Sequence, residues 1–426
     1  MNIDLLKQCV AEFYGNLPLF EKIHSYYKGD TDAMATYKMV TERSNLKAYC
    51  NYIKKFVKEE TSYILGNPIT YISKTGNKEI LQAIDANTAH WLESHDEKLG
   101  RKMIQYGYCY ELYYLDENAR FSATVTSPRS SYALANEKGK VELFLRFFTK
   151  KFDDKQYLDV YLTDRIEHYS VTNDGKDYEV IKESEPTAHI FGEVPVSLCQ
   201  LSDEQENDTL YKDLKGLQDA YETNLSDATN EISDFRAAYL KLIGATADKE
   251  TLDEMKEKGA IEVPASGNVE WLIKNINDSF IQNTLNNLES KIYQISSHIN
   301  YNEKLQSNTS SLALRARLIS LENKCTSNMK AVADCLKSRM RFLFKFLAIK
   351  TNKELDYTDI QYKFTPMIPA DDLVMAQIIN QMGDKLSTKT GLAQLSFVNN
   401  PDVEMERIKK EQDEQIDLDK VDGEDE

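Results

Sequence analysis

The sequence predicts an α+β fold in which long helices are set apart from a strand-rich region, and three observations predict it. First, three stretches run on helical periodicity. Leu214, Leu217, Tyr221, Leu225, Ala228, Ile232, Phe235, Tyr239 and Leu242 recur at steps of three and four across Asp213–Ile243. Ile281, Leu285, Leu288, Ile292, Ile295 and Ile299 keep the same rhythm, and a third stretch, Ser311–Lys350, ends in the apolar run Phe342–Leu347. Stripes of this kind need burial against another helix. Second, from about Tyr108 to Ile190 the pattern changes to short aromatic and β-branched runs separated by turn residues. Third, an acidic stretch and an Asn/Ser-rich loop divide the long helices from their surroundings.

Taken in order, residues 1 to about 65 read as helical, with Tyr49, Tyr52, Ile53, Phe56 and Val57 leading into Tyr63-Ile64-Leu65. Gly66-Asn67-Pro68 stops that helix and starts an extended run, Ile69–Ile72. A further helix is expected across Lys78–Tyr106. Strands follow at Tyr108–Tyr114, Val141–Phe148 and Tyr157–Leu162, and the turn signals Asp116-Glu117-Asn118, Glu137-Lys138-Gly139 and Asn173-Asp174-Gly175 make the region a meander of hairpins. Leu201–Thr209 is a polar, acidic linker. The first long helix would span about 45 Å at 1.5 Å per residue. Behind it lies a compact insert, about Ala245–Asn277. The insert holds a short charged helix (Asp248–Lys258) and strand-like runs at Ala260–Val263 and Val269–Ile273, and Gly244 and Gly259 fit helix ends. After the third helix come a strand at Asp359–Phe364, a helical segment at Asp371–Gly383 and a charged tail.

A chain of 426 residues with 41% hydrophobic content can bury a real core, most often in two or three domains. No stretch approaches the roughly 20 apolar residues of a membrane span, and the N-terminus lacks the order of a signal peptide; the expected location is the cytosol. The six cysteines are far apart and form no CxxC pair, so free thiols are expected, and His90 and His95 do not have the spacing of helix-borne metal ligands. The net charge of −17 argues against tight, sequence-reading DNA binding. The charge is unevenly placed: Ser311–Lys350 holds nine basic residues against Glu322 and Asp334, and residues 401–426 hold twelve acidic against four basic. The basic helix is either a solvated face or ion-pairing partner for acidic neighbours, or a subunit- or nucleic-acid-facing surface.

No catalytic constellation is found. Gly139-Lys140 and Gly175-Lys176 lack the earlier glycine of a phosphate loop, and neither a GxSxG nor a GxGxxG string is present. No enzyme, cofactor or metal is expected.

Several strings resemble the portal proteins of tailed bacteriophages, in the group related to the Bacillus phage SPP1 portal. They are Tyr63–Ile69 after an N-terminal helix, Phe191–Val196 ahead of the acidic linker, Leu217–Asp227, and Ser310–Arg315 with Leu321–Cys325. Their order and spacing cover nearly the whole chain. One departure is Leu312, where the family often has glycine.

The resemblance implies a portal-like α+β fold: an α/β wing domain, long stem helices, a small α/β clip insert and a helical C-terminal crown. On that basis the wing comprises 1–212 and 312–370, the stem helices 213–244 and 278–299, the clip 245–277, the tunnel loop 300–311, and the crown with its acidic tail 371–426. It implies a ring of about twelve subunits at one capsid vertex, with double-stranded DNA passing through. The implied partners are terminase, head–tail connector or adaptor proteins, and capsid and scaffolding proteins. No membrane is implied. The place is the virion, and the host cytoplasm during assembly. Twelve chains at −17 carry roughly −200, a field that disfavours sticking to phosphates.

Lys304 is the full positive charge of the loop and the expected phosphate contact, with Asn302, Gln306 and Asn308 as neutral contacts; Lys256, Lys258 and Trp271 are candidate partner contacts on the clip. The alternative from another class is a coiled-coil scaffolding or adaptor protein without a DNA channel.

Overall fold

A computed structural model describes residues 2–38, 45–173, 178–235, 239–243, 267–272, 278–300, 311–366, 377, 379–392, 395, 398 and 400–422. The chain divides into two compact units, one of Met1–His24, Lys55–Lys212 and Ser297–Glu426, the other of Ser25–Lys54 and Asp213–Ser296. The N-terminal helical signal resolves into α1 (Ile3–Lys28), α2 (Asp32–Thr36) and α3 (Tyr52–Leu65). Gly66-Asn67-Pro68 ends α3, and β1 (Thr70–Ser73) follows as expected.

The single helix expected across Lys78–Tyr106 is two, α4 (Lys78–Thr88) and α5 (His95–Tyr106). The break lets Trp91 turn inward, where its indole N–H donates to the Phe121 carbonyl at 3.1 Å. Gly107 then caps α5 at φ 82°, and a Cβ there would lie 1.9 Å from the Gln205 carbonyl oxygen, so only glycine fits.

The meander holds. Strands β2 (Tyr108–Leu115) and β3 (Phe121–Thr126) join β9 (Val196–Gln200) in a three-stranded sheet of order β3-β2-β9. The five-stranded antiparallel sheet runs β4 (Ser131–Ala135), β5 (Val141–Thr149), β6 (Gln156–Tyr161), β7 (Arg165–Asn173) and β8 (Tyr178–Ala188). The expected turn signals at Asp116-Glu117-Asn118 and Glu137-Lys138-Gly139 join β2 to β3 and β4 to β5, while Asp174 and Gly175 lie outside the described residues. The outer strand, β8, is almost wholly exposed and carries Glu179, Lys182, Glu183 and Glu185, charges that guard a free edge. On the sheet, Leu6, Cys9, Val10 and Phe13 of α1 pack against Leu143, Leu145, Phe147, Leu158 and Val160, with Phe13 stacked on Phe147 at 3.9 Å.

Helix α6 spans Leu210–Phe235 and α7 spans Asp278–Ser296. The first long helix therefore stops short of its expected end at Ile243. Tyr239–Ile243 is strand β10, paired antiparallel with β11 (Asn268–Leu272) in the register Tyr239↔Leu272 to Ile243↔Asn268. So short a run, apolar but for Lys241, satisfies both helical and extended periods, and a strand partner further along the chain decides between them. Gly244, the expected helix Asp248–Lys258 and the run Ala260–Val263 lie outside the described residues.

The third helix, α8, runs unbroken over Ser311–Thr351, and its C-terminal run forms the core. Met340, Phe342, Leu343, Phe344, Phe346 and Leu347 pack with Ile80, Ile84, Tyr113, Phe121, Phe191 and Ile360. β12 (Ile360–Lys363) pairs with β1, bringing the expected late strand back to the N-terminal part. Within Asp371–Gly383, Gln377 and Ile379–Met382 are helical. A short helix α9 (Thr388–Leu392) precedes α10. The charged tail is helical: α10 covers Pro401–Asp422, with Asn400 Oδ1 accepting from the Asp402 and Val403 amides and proline at the first helical position.

Cysteine usage differs from the sequence reading in one respect. Cys9, Cys109 and Cys325 are free and buried, but Cys199 of β9 and Cys335 of α8 are disulfide-bonded, with 5.3 Å between their Cα atoms. Their 136-residue separation hides the pairing from any spacing rule.

Candidate functional site

The features with chemical content are the fastening of α8, the frame of the loop before it, the faces of α6, and the β10–β11 hairpin. Among the described side chains of α8, the inward basic residues are paired with internal carboxylates. Arg339 is 2% exposed. Its guanidinium donates to Glu111 at 2.7 Å and to Asp96 at 2.7 Å, and lies 5.2 Å from the centre of the Trp91 ring. Glu111 also meets His95 Nε2 at 2.7 Å and accepts from the Tyr113 hydroxyl at 2.8 Å. Burial alone would raise the Glu111 carboxyl, but the Arg339 and His95 partners outweigh it and hold the group down at about 2.

Two residues on, Arg341 reaches Glu193 at 2.6 Å, and Lys345 bridges the same carboxylate. Burial works against its charge, and those two cations prevail and keep its carboxyl below the usual range. Of the two readings of the basic helix, ion pairing thus accounts for Lys324, Arg339, Arg341 and Lys345. Lys330, Lys337 and Lys350 remain exposed.

The expected tunnel-loop residues Asn302, Lys304, Gln306 and Asn308 lie outside the described residues, but the chain on both sides is described. Ahead of the loop, His298 is buried and stacks on Phe56 at 4.1 Å, with Nε2 3.7 Å from Glu60. Behind it, α8 presents Lys324 at 2.8 Å and the Asn328 amide at 2.8 Å to the same carboxylate. Burial pushes the Glu60 carboxyl up, and Lys324 opposes that shift. One residue of α3 therefore meets His298, just ahead of the segment, and Lys324 and Asn328, well inside the helix that follows it.

In the second unit, α6 buries the face that periodicity did not select. Gln218, Glu222, Ser226 and Asn230 recur every fourth residue, and all four are fully buried. They hold an extended segment: Cys50 N–H donates to Glu222 at 2.8 Å, Ala48 N–H to Ser226 Oγ at 2.9 Å and Leu46 N–H to Asn230 Oδ1 at 2.7 Å, while the Asn230 amide donates to the Leu46 carbonyl at 2.8 Å. Thr31 adds a hydroxyl to Glu222 at 2.5 Å. Residues 45–51 thus gain from side chains the backbone bonds a strand takes from a sheet. The apolar row opens along its length: Leu214 is buried, Leu217, Tyr221, Leu225 and Ala228 are half-buried, and Ile232 is 65% exposed. Within the single chain the polar row is the buried one, and the stripe expected to pack against another helix is covered only in part. The four-residue repeat was visible in the sequence, but no periodicity of apolar residues marks it.

Trp271, a candidate partner contact, lies on β11 directly across from Leu240. Lys256 and Lys258 lie outside the described residues. Among the described residues no group of three or more His, Cys, Asp or Glu could hold a metal ion, and no helix is long and apolar enough to cross a membrane.

Comparison with known proteins adds three findings. The family described as phage portal protein, SPP1 Gp6-like, matches residues 6–418. The portal protein of Bacillus phage SPP1 is 22% identical over 424 residues, covering 93% of this chain and 82% of that one. Among solved structures, a chain in the virion of a native gene transfer agent aligns with a TM-score of 0.49 at 10% identity, over 79% of this chain and 87% of that chain. One in the neck of a native gene transfer agent particle, computed with C12 symmetry, aligns at 0.45 and 13% identity, over 80% and 89%.

Proposed function

The chain belongs to the SPP1 Gp6-like family of phage portal proteins, and from that membership we propose that it works as one subunit of a closed ring of about twelve at a capsid vertex. Double-stranded DNA passes through the ring during packaging and ejection. The observation that carries the reading within the molecule is the arrangement of α6. Its buried row is polar and self-satisfied, and its apolar row is left partly open, as expected of a helix that completes its packing against a neighbouring copy.

In this reading the core fastened by Arg339 and Glu111 is the wing, α6 and α7 are the stem, and 371–426 is the crown. The clip is the β10–β11 hairpin with what it encloses, so its boundary moves from Ala245 back to Tyr239. Trp271, Lys256 and Lys258 face terminase before packaging and the connector afterwards. Assembly takes place in the host cytoplasm with capsid and scaffolding proteins, and the finished ring resides in the virion. No chemical step is assigned to the chain.

The mass of the purified protein tests the ring. A closed oligomer far above the 49.0 kDa chain, with a central hole in negative-stain images, is expected. A monodisperse monomer at high concentration and moderate salt sinks the ring, and a dimer or trimer points instead to a coiled-coil adaptor.

Residues 300–311 form the tunnel loop, with Lys304 set against passing phosphates and Asn302, Gln306 and Asn308 as neutral contacts. Their support is the family membership and the described chain on either side, where His298 and Lys324 both meet Glu60. A photoreactive residue at Lys304 is expected to capture DNA in packaging-stalled particles, and the same probe at Lys258 far less. Equal capture at both positions removes the assignment.

A further inference from the structure

The tip of the β5–β6 hairpin carries Lys150, Lys151, Phe152 and Lys155. It is a built turn. The Asp153 amide donates to the Lys150 carbonyl at 3.1 Å, and the Asp153 carboxylate accepts from the Tyr157 hydroxyl at 2.5 Å and from the Lys155 amide at 3.0 Å. The Lys150 ammonium lies 4.1 Å from the Tyr157 ring centre. Phe152 stands at φ 67°, in the left-handed region where a bulky side chain is rare. Its side chain is 96% exposed, with only the Lys151 ammonium near its ring at 5.0 Å among the described residues. A strained, ordered turn that presents an aromatic ring to solvent gains nothing inside its own chain.

A matching hole lies elsewhere on the same unit. A cavity of about 280 Å³ opens between α1, β2 and β4, walled by Phe20, Tyr108, Tyr110 and Tyr132. Roughly 150 Å³ is enough for a benzene ring. Two carboxylates, Glu12 and Glu206, border it, and Glu12 is fixed by the Tyr132 hydroxyl at 2.9 Å. The knob is aromatic and flanked by ammonium groups; the hole is aromatic and flanked by carboxylates.

A chain cannot fill its own hole. Ala133, on the cavity wall, pairs with Phe144. From Phe144 to Thr149, where the tip begins, is five residues of strand, about 17 Å, and β4 and β6 hold β5 on both sides.

We propose that Phe152 of one copy seats in the Phe20–Tyr108–Tyr110–Tyr132 cavity of a second copy, with Lys150 and Lys151 set against Glu12 and Glu206. The contact rests on the ring reading. It joins two different patches, so it propagates head to tail around a ring and does not close a symmetric pair.

The test places a photoreactive phenylalanine analogue at position 152 and mixes isotopically labelled with unlabelled protein at ring-forming concentration. Cross-links from position 152 of one copy to the Asn16–Phe20 or Pro128–Tyr132 segments of another are expected. Phe152→Ala is expected to raise the concentration for half-assembly by at least about tenfold, and its thermal unfolding as a monomer stays unchanged because the side chain is exposed. Lys151→Glu weakens assembly, and Glu206→Lys in the same chain restores it. Rings in which the probe captures other segments, its own copy or nothing overturn the contact and leave the ring standing. A chain that never assembles overturns both.

Discussion

Arg339→Met is expected to destabilise the unit built on α8 by about 3–5 kcal/mol, the usual cost of removing one partner from a buried ion pair. The substitution leaves Glu111 fully buried, with His95 and the Tyr113 hydroxyl as its remaining close polar partners among the described residues. Chemical denaturation followed through Trp91, whose ring faces the guanidinium, measures it. A loss below about 1 kcal/mol, the scale of an exposed pair, would show that the network is not a structural lock. Pairing the change with Glu111→Gln removes the stranded charge and is expected to recover much of the loss.

The same pair sets an acid limit. The Glu111 carboxyl sits at about 2 in the fold against an ordinary value of 4.5, so its contribution is complete above about pH 4.5 and is lost as pH falls from there through about 2. In Arg339→Met the carboxyl loses its strongest charge partner, and acid unfolding is expected to lose this pH window.

Deleting Tyr239–Leu272 and closing the gap with a short flexible linker is expected to reduce DNA packaging to background while the wing stays folded. The hairpin is self-contained, its two strands paired only with each other among the described residues. Its removal therefore takes no strand from the sheets that hold Arg339 and Glu193. Packaged genome per particle, read beside the unfolding curve of the purified variant, separates the two effects. Normal packaging by the deletion removes the assignment of this hairpin as the docking element.

What the sequence made legible follows from the range of the forces involved. Helix α8 was readable to within a residue of its end because apolar spacing and chain length both favour a helix over Ser311–Lys350. The hairpins were readable because Asp116-Glu117-Asn118 and Glu137-Lys138-Gly139 punctuate locally.

The strand at Tyr239 was misread because its partner is on β11, and the break at Trp91 because its cause is the carbonyl of Phe121. The basic charges of α8 were plain, but the partners of Arg339 and Arg341 lie 148 to 243 residues away. No pattern along the chain separates an ion-pairing arginine from an exposed one at such range. The polar row of α6 was hidden for a different reason: a search for apolar stripes takes Gln218, Glu222, Ser226 and Asn230 for the solvent side. Of the proposed contact residues, Trp271 alone falls among the described ones.

Glu60 works like a bolt between two plates, with His298 on one side and Lys324 and Asn328 of α8 on the other. Load on either side reaches α3 at that one carboxylate, so removing a single side chain is expected to loosen both together.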